Sequence, residues 1–170
     1  MFMPKHMNHS TRGFTLIELL IVIGIIGILA VGLLAAVDPL EQLKKGNDTN
    51  KKRIAVEFQQ ASSRFFAVRG QPAWLAGTVP AAANMTNAAV TAMITNMQTA
   101  GELKSSFQSA ITTVGVLLFV NGTAATGDVT VCFAPESKAE RTNYTALYSD
   151  NVGSSVCTIT TGIGCFWCAR

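Results

Sequence analysis

Residues 14–37 read FTLIELLIVIGIIGILAVGLLAAV, an apolar run long enough to determine the architecture expected of the chain. It holds one charged residue, Glu18, in about 24 positions, enough for a helix to cross a bilayer. Lys5 and Arg12 precede it. The positive-inside rule therefore keeps the leader in the cytoplasm and sends the rest of the chain outward. We expect one membrane anchor near the N-terminus and an extracytoplasmic remainder.

The overall charge indicates no nucleic-acid partner. Thirteen Lys and Arg against ten Asp and Glu give a net charge of +3, and charged residues make up 14% of the chain. Lys51, Lys52 and Arg53 are consecutive, so on a helix they point in different directions, which is typical of a solvated surface. Nucleic acid stays open as a partner without being indicated.

The two histidines, His6 and His9, both precede the apolar run. If the leader is removed, the remaining protein has no imidazole, which excludes Ser-His-Asp and Cys-His mechanisms and His-ligated zinc. The carboxylates Asp128, Glu136, Glu140 and Asp150 lack the spacing of an EF-hand calcium loop. We expect a protein that is not an enzyme and uses no metal or cofactor.

An ionised carboxylate inside a membrane segment is costly and requires a partner. Glu18 stands at the fifth place after Gly13, within the stretch RGFTLIELL at residues 12–20. This stretch, after a short basic leader and at the start of an apolar run, resembles the prepilin cleavage and methylation motif of type IV pilins and type II secretion pseudopilins. A secretory signal peptide fits poorly, because its apolar region is shorter.

The resemblance implies specific roles for three residues. A prepilin peptidase would cut between Gly13 and Phe14 and methylate the new amino group of Phe14. Glu18 would then neutralise the N-terminal amino group of a neighbouring subunit as the helix enters the filament core. Such a buried ion pair is a good device for fixing register between subunits.

Proline marks a departure from the pattern of many pilins. In those, a helix-kinking proline follows the cut by a little over twenty residues, whereas the first proline after the cut here is Pro39. The predicted kink therefore lies near the membrane exit.

A second helical segment is predicted over residues 38–69. Apolar residues recur at spacings of three and four, which marks one face for packing: Ile54, Phe58, Ala61, Phe65 and Val68. Residues 46–48 form a weak helix stretch at which this stalk could be interrupted. The sequence 70–72, Gly-Gln-Pro, predicts its end.

The remainder, residues 70–170, is expected to form a globular head. Met85, Ala89, Met93 and Met97 recur every four residues and predict a short helix within 81–100, with Gly101 as its stop. Residues 113–120 and 128–134 have the composition of strands joined by a hairpin-like loop, and 144–149 and 155–161 are predicted as a third and a fourth strand.

Four cysteines lie near the C-terminus, Cys132, Cys157, Cys165 and Cys168. An even count outside the anchor predicts two structural disulfides in an exported domain, with three pairings open. Cys165 and Cys168 also have the C-x-x-C spacing of zinc and redox sites, but the sequence shows neither a second metal-binding pair nor a helix start beside them.

The predicted fold class is α+β: a long N-terminal helix, half transmembrane and half amphipathic, packed by a small antiparallel sheet in a pilin-like arrangement. The predicted segments are a cleaved leader at 1–13, a transmembrane or filament-core helix at 14–37, an amphipathic stalk at 38–69 and a head at 70–170.

The expected function is that of a structural subunit of a type IV pilus-like filament, serving adhesion, motility or DNA uptake. The resemblance implies as partners other pilin subunits, a prepilin peptidase, an inner-membrane assembly platform and, before assembly, membrane lipid. The expected location is a single-pass position in the inner or cytoplasmic membrane with the C-terminus outside, then an extracellular filament.

Two alternatives stay open. One is a pseudopilin of a type II secretion system. The other, from a different class, is a membrane-anchored thiol oxidoreductase that uses the C-x-x-C of Cys165 and Cys168.

Overall fold

The computed structural model describes residues 13–36, 38–74, 80–124, 126–159 and 162–170. Except for Gly13, the predicted leader lies outside the described residues. The chain divides into two compact units, residues 1–39 and 40–170, and each is described by itself.

The first unit contains helix α1, Leu16–Ala36. Its segment Leu16–Leu34 is long and apolar enough to cross a membrane, with a mean hydropathy of 2.9. Apart from Glu18, this segment is apolar on all its faces. Every described side chain of the segment is exposed, so none of its described faces is buried within the unit. A helix of this kind requires lipid or other helices around it.

Helix α2, Pro39–Arg69, follows after the non-helical Asp38. Proline is favoured at the first helical position, where its missing N–H costs nothing, and it disfavours helical geometry in the residue before it. The chain is thus not helical at Asp38, directly before Pro39. The kink at Pro39 stays a prediction. Gly70, with φ +66°, ends α2 and donates its N–H to the carbonyl of Phe66 at 2.8 Å.

The interruption considered at residues 46–48 is absent, and α2 runs through them. Asp48 is buried there and accepts backbone hydrogen bonds from the distant residues Glu136 and Ser137. These tertiary contacts outweigh the weak helix propensity of Gly-Asn-Asp.

The predicted apolar face of α2 packs into the core of the second unit. Ile54, Phe58, Ala61 and Phe65 are buried, whereas Val68, at the end of the helix, is 70% exposed. Helix α3, Ala88–Thr99, lies in the same core through Val90, Met93, Ile94 and Met97. It starts later than predicted because the side chain of Asn87 caps it by accepting from the Ala89 N–H at 2.9 Å.

Four antiparallel strands form one sheet in the order β1-β2-β3-β4. Their bounds are β1 Ala83–Asn84, β2 Phe119–Gly122, β3 Val129–Phe133 and β4 Trp167–Ala169. Short helices connect them: α4 Phe107–Ala110, α5 Lys138–Thr142 and two 3-10 turns, Gly115–Leu117 and Tyr144–Ala146. The fold is a long apolar helix followed by helices and a small antiparallel sheet, which confirms the predicted α+β, pilin-like class.

Three of the four predicted strands differ from the structure. Within the first, predicted over residues 113–120, Gly115–Leu117 form a 3-10 turn and strand β2 starts only at Phe119. Part of the segment predicted as the third strand forms the 3-10 turn Tyr144–Ala146, and only Tyr148 makes isolated bridges, to Val156 and Phe166. The segment 155–159, the described part of the predicted fourth strand, makes only the isolated bridge of Val156. The fourth strand of the sheet is instead β4, in which Cys168 stands opposite Cys132 of β3. The C-terminal strand thus coincides with a disulfide that holds it in register.

Candidate functional site

The segment before α1 places Gly13 and Phe14 outside the helix. Both are exposed, Phe14 by 87%, and a Cβ added at Gly13 would meet no atom within 4 Å. The peptide bond between these residues is therefore sterically open to an enzyme within the described part of the chain.

Thr15 and Glu18 together cap the start of α1. The Glu18 carboxylate accepts from the Thr15 N–H at 2.9 Å and from the Thr15 hydroxyl at 2.7 Å, and the Glu18 N–H donates to the Thr15 hydroxyl oxygen at 3.3 Å. This is a reciprocal capping box, in which the first and fourth residues satisfy each other's free N–H groups.

The capping box gives Glu18 a partner within its own chain, which the sequence analysis missed. The Thr-x-x-Glu spacing of residues 15–18 is a known signal for such a cap and was available in the sequence. Both hydrogen bonds from Thr15 end on the same carboxylate oxygen, Oε2 of Glu18.

The cysteines form two disulfides. Cys132 pairs with Cys168 across a sequence separation of 36, and Cys157 pairs with Cys165 across 8. The first joins β3 to β4, and the second closes the loop that precedes β4. The C-x-x-C residues Cys165 and Cys168 thus bond to different partners, so the structure does not contain the bond between them that a thiol oxidoreductase would use.

A buried charge cluster joins α2 to the segment after β3. The Asp48 carboxylate accepts from the Ser137 N–H at 2.8 Å and from the Glu136 N–H at 3.0 Å. Lys51 lies 3.8 Å from this carboxylate and forms an ion pair with Glu136. The ammonium group of Lys51 also lies 5.7 Å from the ring centroid of Phe133, which favours a cation.

A second, more exposed set of contacts lies one residue further along α2. Lys52 pairs with Glu140 of α5 and sits 5.3 Å from the ring centroid of Trp167 in β4. Because Trp167 lies between the two C-x-x-C cysteines, the disulfide-bonded strand and α2 meet at this ring.

Two open grooves lie in the second unit. One, of about 590 Å³, is lined by Phe65, Arg69, Trp74 and Asn96 among others. The charged residues along the other, of about 560 Å³, are engaged in ion pairs: Lys52 with Glu140, Arg53 with Glu57, and Arg64 with Glu102. The threonine hydroxyls that line the two grooves donate within their own helices, Thr99 to the Thr95 carbonyl and Thr49 to the Lys45 carbonyl, each at 2.8 Å.

The described residues contain no group of three or more His, Cys, Asp and Glu side chains that could hold a metal ion. Asp150, one of the acids considered for calcium, is used by its own loop. Its carboxylate accepts from the hydroxyl and the N–H of Ser154 and from the Val152 N–H.

Comparison with known proteins identifies the N-terminal segment. The family model of the prokaryotic N-terminal methylation motif matches residues 8–34, which include the predicted cleavage site, Glu18 and most of α1. This motif is the signature of type IV pilins and pseudopilins. No curated protein and no solved structure matches the chain.

Proposed function

We propose that this chain is the structural subunit of a type IV pilus-like filament. The observation that carries the proposal is the methylation motif at residues 8–34, continuous with a helix that is apolar and exposed on every described face. Such a helix can be held first by lipid and then by the helices of other subunits. The motif is shared by pilins and pseudopilins, so the proposal covers a filament of either kind.

Processing is proposed at the two exposed residues before the cap. A prepilin peptidase cuts after Gly13 and methylates Phe14, which leaves a charged amine four residues before Glu18. The cut takes away the basic leader and leaves Thr15 and Glu18 in place to cap α1.

Assembly is proposed to depend on a second partner for Glu18, beside Thr15. In the membrane, the carboxylate stays with Thr15. As the helix enters the filament, the carboxylate pairs with the amine of a neighbouring Phe14, and the assembly platform supplies the new subunit. A buried carboxylate without a partner is strongly unfavourable, which makes correct register a condition for growth.

The two disulfides support the proposed location of the second unit. Disulfides persist in oxidising compartments such as the periplasm and the cell surface. The basic leader, on the opposite side of α1, supports a cytoplasmic start. We therefore place the second unit outside the cytoplasmic membrane before assembly and on the filament surface afterwards.

Two variants separate processing from assembly. Gly13→Val adds a side chain where the structure leaves space, so it should fold normally but keep its leader and remain in the membrane. Glu18→Gln should be cut and methylated but be absent from filaments sheared off the cells. The measurement is the intact mass of the chain in the membrane and sheared fractions.

The outcomes discriminate between the two parts of the proposal. Glu18→Gln subunits in sheared filaments at the parent level would overturn the role of Glu18. A parent chain that retains its leader in cells with an active prepilin peptidase would overturn the filament-subunit proposal itself.

A further inference from the structure

The apolar face of α2 extends beyond the part that the core covers. Leu40 and Phe58 are 18 residues apart, which at about 3.6 residues per turn is five full turns and places them on the same face. Phe58 is completely buried, whereas Leu40 is 67% and Leu43 66% exposed. Within the described residues, Asp48 is the first fully buried residue of this helix, and before it Glu41 is half-buried and accepts the Lys138 N–H of α5. The first two turns of α2 therefore present leucines that the described part of the chain leaves uncovered.

Two lysines follow these leucines directly. Lys44 is four residues after Leu40 and so lies on the same face, and Lys45 is beside it; both are exposed. Neither forms a salt bridge to a described residue, in contrast to four other cations of α2 that each have a carboxylate partner. Those four are Lys51, Lys52, Arg53 and Arg64. Lysines beside exposed leucines can extend their long stems over apolar groups and hold their ammonium groups in a polar layer.

The few residues between the end of α1 and Leu40 limit the distance between the exposed leucines of α2 and the membrane-spanning helix. Helix α1 has 21 residues and thus a length of about 31 Å, close to the roughly 30 Å of a bilayer's hydrocarbon core. Leu40 follows Ala36 by four residues, so its Cα lies within about 14 Å of the end of α1. The polar layer on each side of the core is about 5–7 Å thick. Leu40 can therefore lie in that layer when α1 spans the membrane, and Leu43 follows it by less than one turn of α2.

We propose that residues 39–45 bind the phospholipid headgroup layer of the membrane that holds α1. Leu40 and Leu43 insert between the upper parts of the acyl chains, and Lys44 and Lys45 contact lipid phosphates. The surface combines an apolar edge with basic residues, which is the composition of an interfacial helix. The inference rests on the proposed membrane-resident state of the subunit.

Two acidic residues near Lys44 and Lys45 determine whether the binding should depend on anionic lipid. Asp38 and Glu41 balance Lys44 and Lys45, so the side chains of residues 38–45 carry no net charge. We therefore expect binding to the phosphate that all phospholipids share, and little dependence on anionic lipid.

The test measures membrane depth in the full-length chain. Leu43→Trp and Val68→Trp replace two exposed residues at opposite ends of α2 and form a matched pair. Each variant is reconstituted at high dilution into phosphatidylcholine vesicles that contain lipids brominated high on the acyl chain. Bromine quenches tryptophan at contact, and the parent chain supplies the background from Trp74 and Trp167.

We expect the added fluorescence of Leu43→Trp to be quenched at least about twofold more than that of Val68→Trp, because only the former reaches the interface. Adding Lys44→Glu and Lys45→Glu should reduce the quenching of Leu43→Trp. Replacing half of the lipid by phosphatidylglycerol should change it little.

Different measurements test the membrane-resident state of the chain and the lipid binding of residues 39–45, which is called the docking proposal below. If the chain floats with the vesicles and resists carbonate extraction but the two tryptophans are quenched equally, the docking proposal is wrong and the membrane anchor stands. If Leu43→Trp shifts to the blue without bromine quenching, a second copy covers this surface and the docking proposal is again wrong. If the chain does not remain with the vesicles, the membrane-resident state fails, and the docking proposal fails with it.

Discussion

At the scale of single residues, Asp48 links α2 to the segment that follows β3. Its carboxylate is 1% exposed, accepts N–H groups from two consecutive residues and lies close to Lys51. Removing one partner of such a cluster leaves polar groups buried without compensation.

Asp48→Ala should lower the free energy of unfolding by about 3 kcal/mol. Glu57→Ala is the matched control, because Glu57 pairs with Arg53 in an exposed ion pair on the same helix. Its loss should cost less than about 1 kcal/mol. Guanidinium unfolding in detergent micelles, followed by tryptophan fluorescence, measures both, and equal losses for the two variants would contradict the account.

Asp150 supplies a prediction about pH. Hydrogen bonds from the hydroxyl and then the N–H of Ser154 hold the pKa of Asp150 below 3.8, its unperturbed value. Because the folded pKa is depressed, the loop's stabilisation is complete above the unfolded pKa and is lost as pH falls through the folded pKa. The Val152 and Ser154 amide resonances should thus titrate with a midpoint below 3.8, and a midpoint at or above 3.8 would contradict this assignment.

The sequence located Glu18 but not its partner Thr15, although the spacing was legible. It did not reveal the Asp48 cluster at all, because residues 46–48 were interpreted as a weak helix stretch and residues 51–53 as a solvated surface. That cluster depends on Glu136 and Ser137, more than 80 residues away, and local patterns carry no information about such contacts.

At the scale of elements, the sequence predicted helices α1, α2 and α3 and strand β3, but not α5 or the second half of β2. The apolar run, the stripe on α2, the four-residue spacing in α3 and the β-branched residues of β3 each depend on local periodicity, which a sequence displays directly. Strands β1 and β4 have two and three residues, too few for a period to appear. Their positions come from tertiary pairing and, for β4, from the bond between Cys132 and Cys168.

The two disulfides should contribute unequally to stability. The bond between Cys132 and Cys168 spans 36 residues and that between Cys157 and Cys165 spans 8. In the chain-entropy account these loops correspond to about 4 and about 2.5 kcal/mol. Replacing each pair by serines and measuring guanidinium unfolding should show the larger loss for Cys132 and Cys168, and the reverse order would contradict the assignment of β4 to that bond.

At the scale of the whole molecule, the two units have opposite surfaces. The second has its own buried core and two disulfides, whereas every described side chain of the segment Leu16–Leu34 is exposed and nearly all are apolar. A chain with such a helix is not complete by itself in water. In the function proposed above, the membrane and then a filament of like subunits provide the environment that this helix requires.

The proposal that this chain is a processed filament subunit is tested by the intact mass of the protein in filaments sheared from cells, measured with and without reduction. We expect a chain that begins at N-methylated Phe14 and gains four hydrogens on reduction of its two disulfides. A chain that begins at Met1 and is absent from the sheared fraction would contradict it.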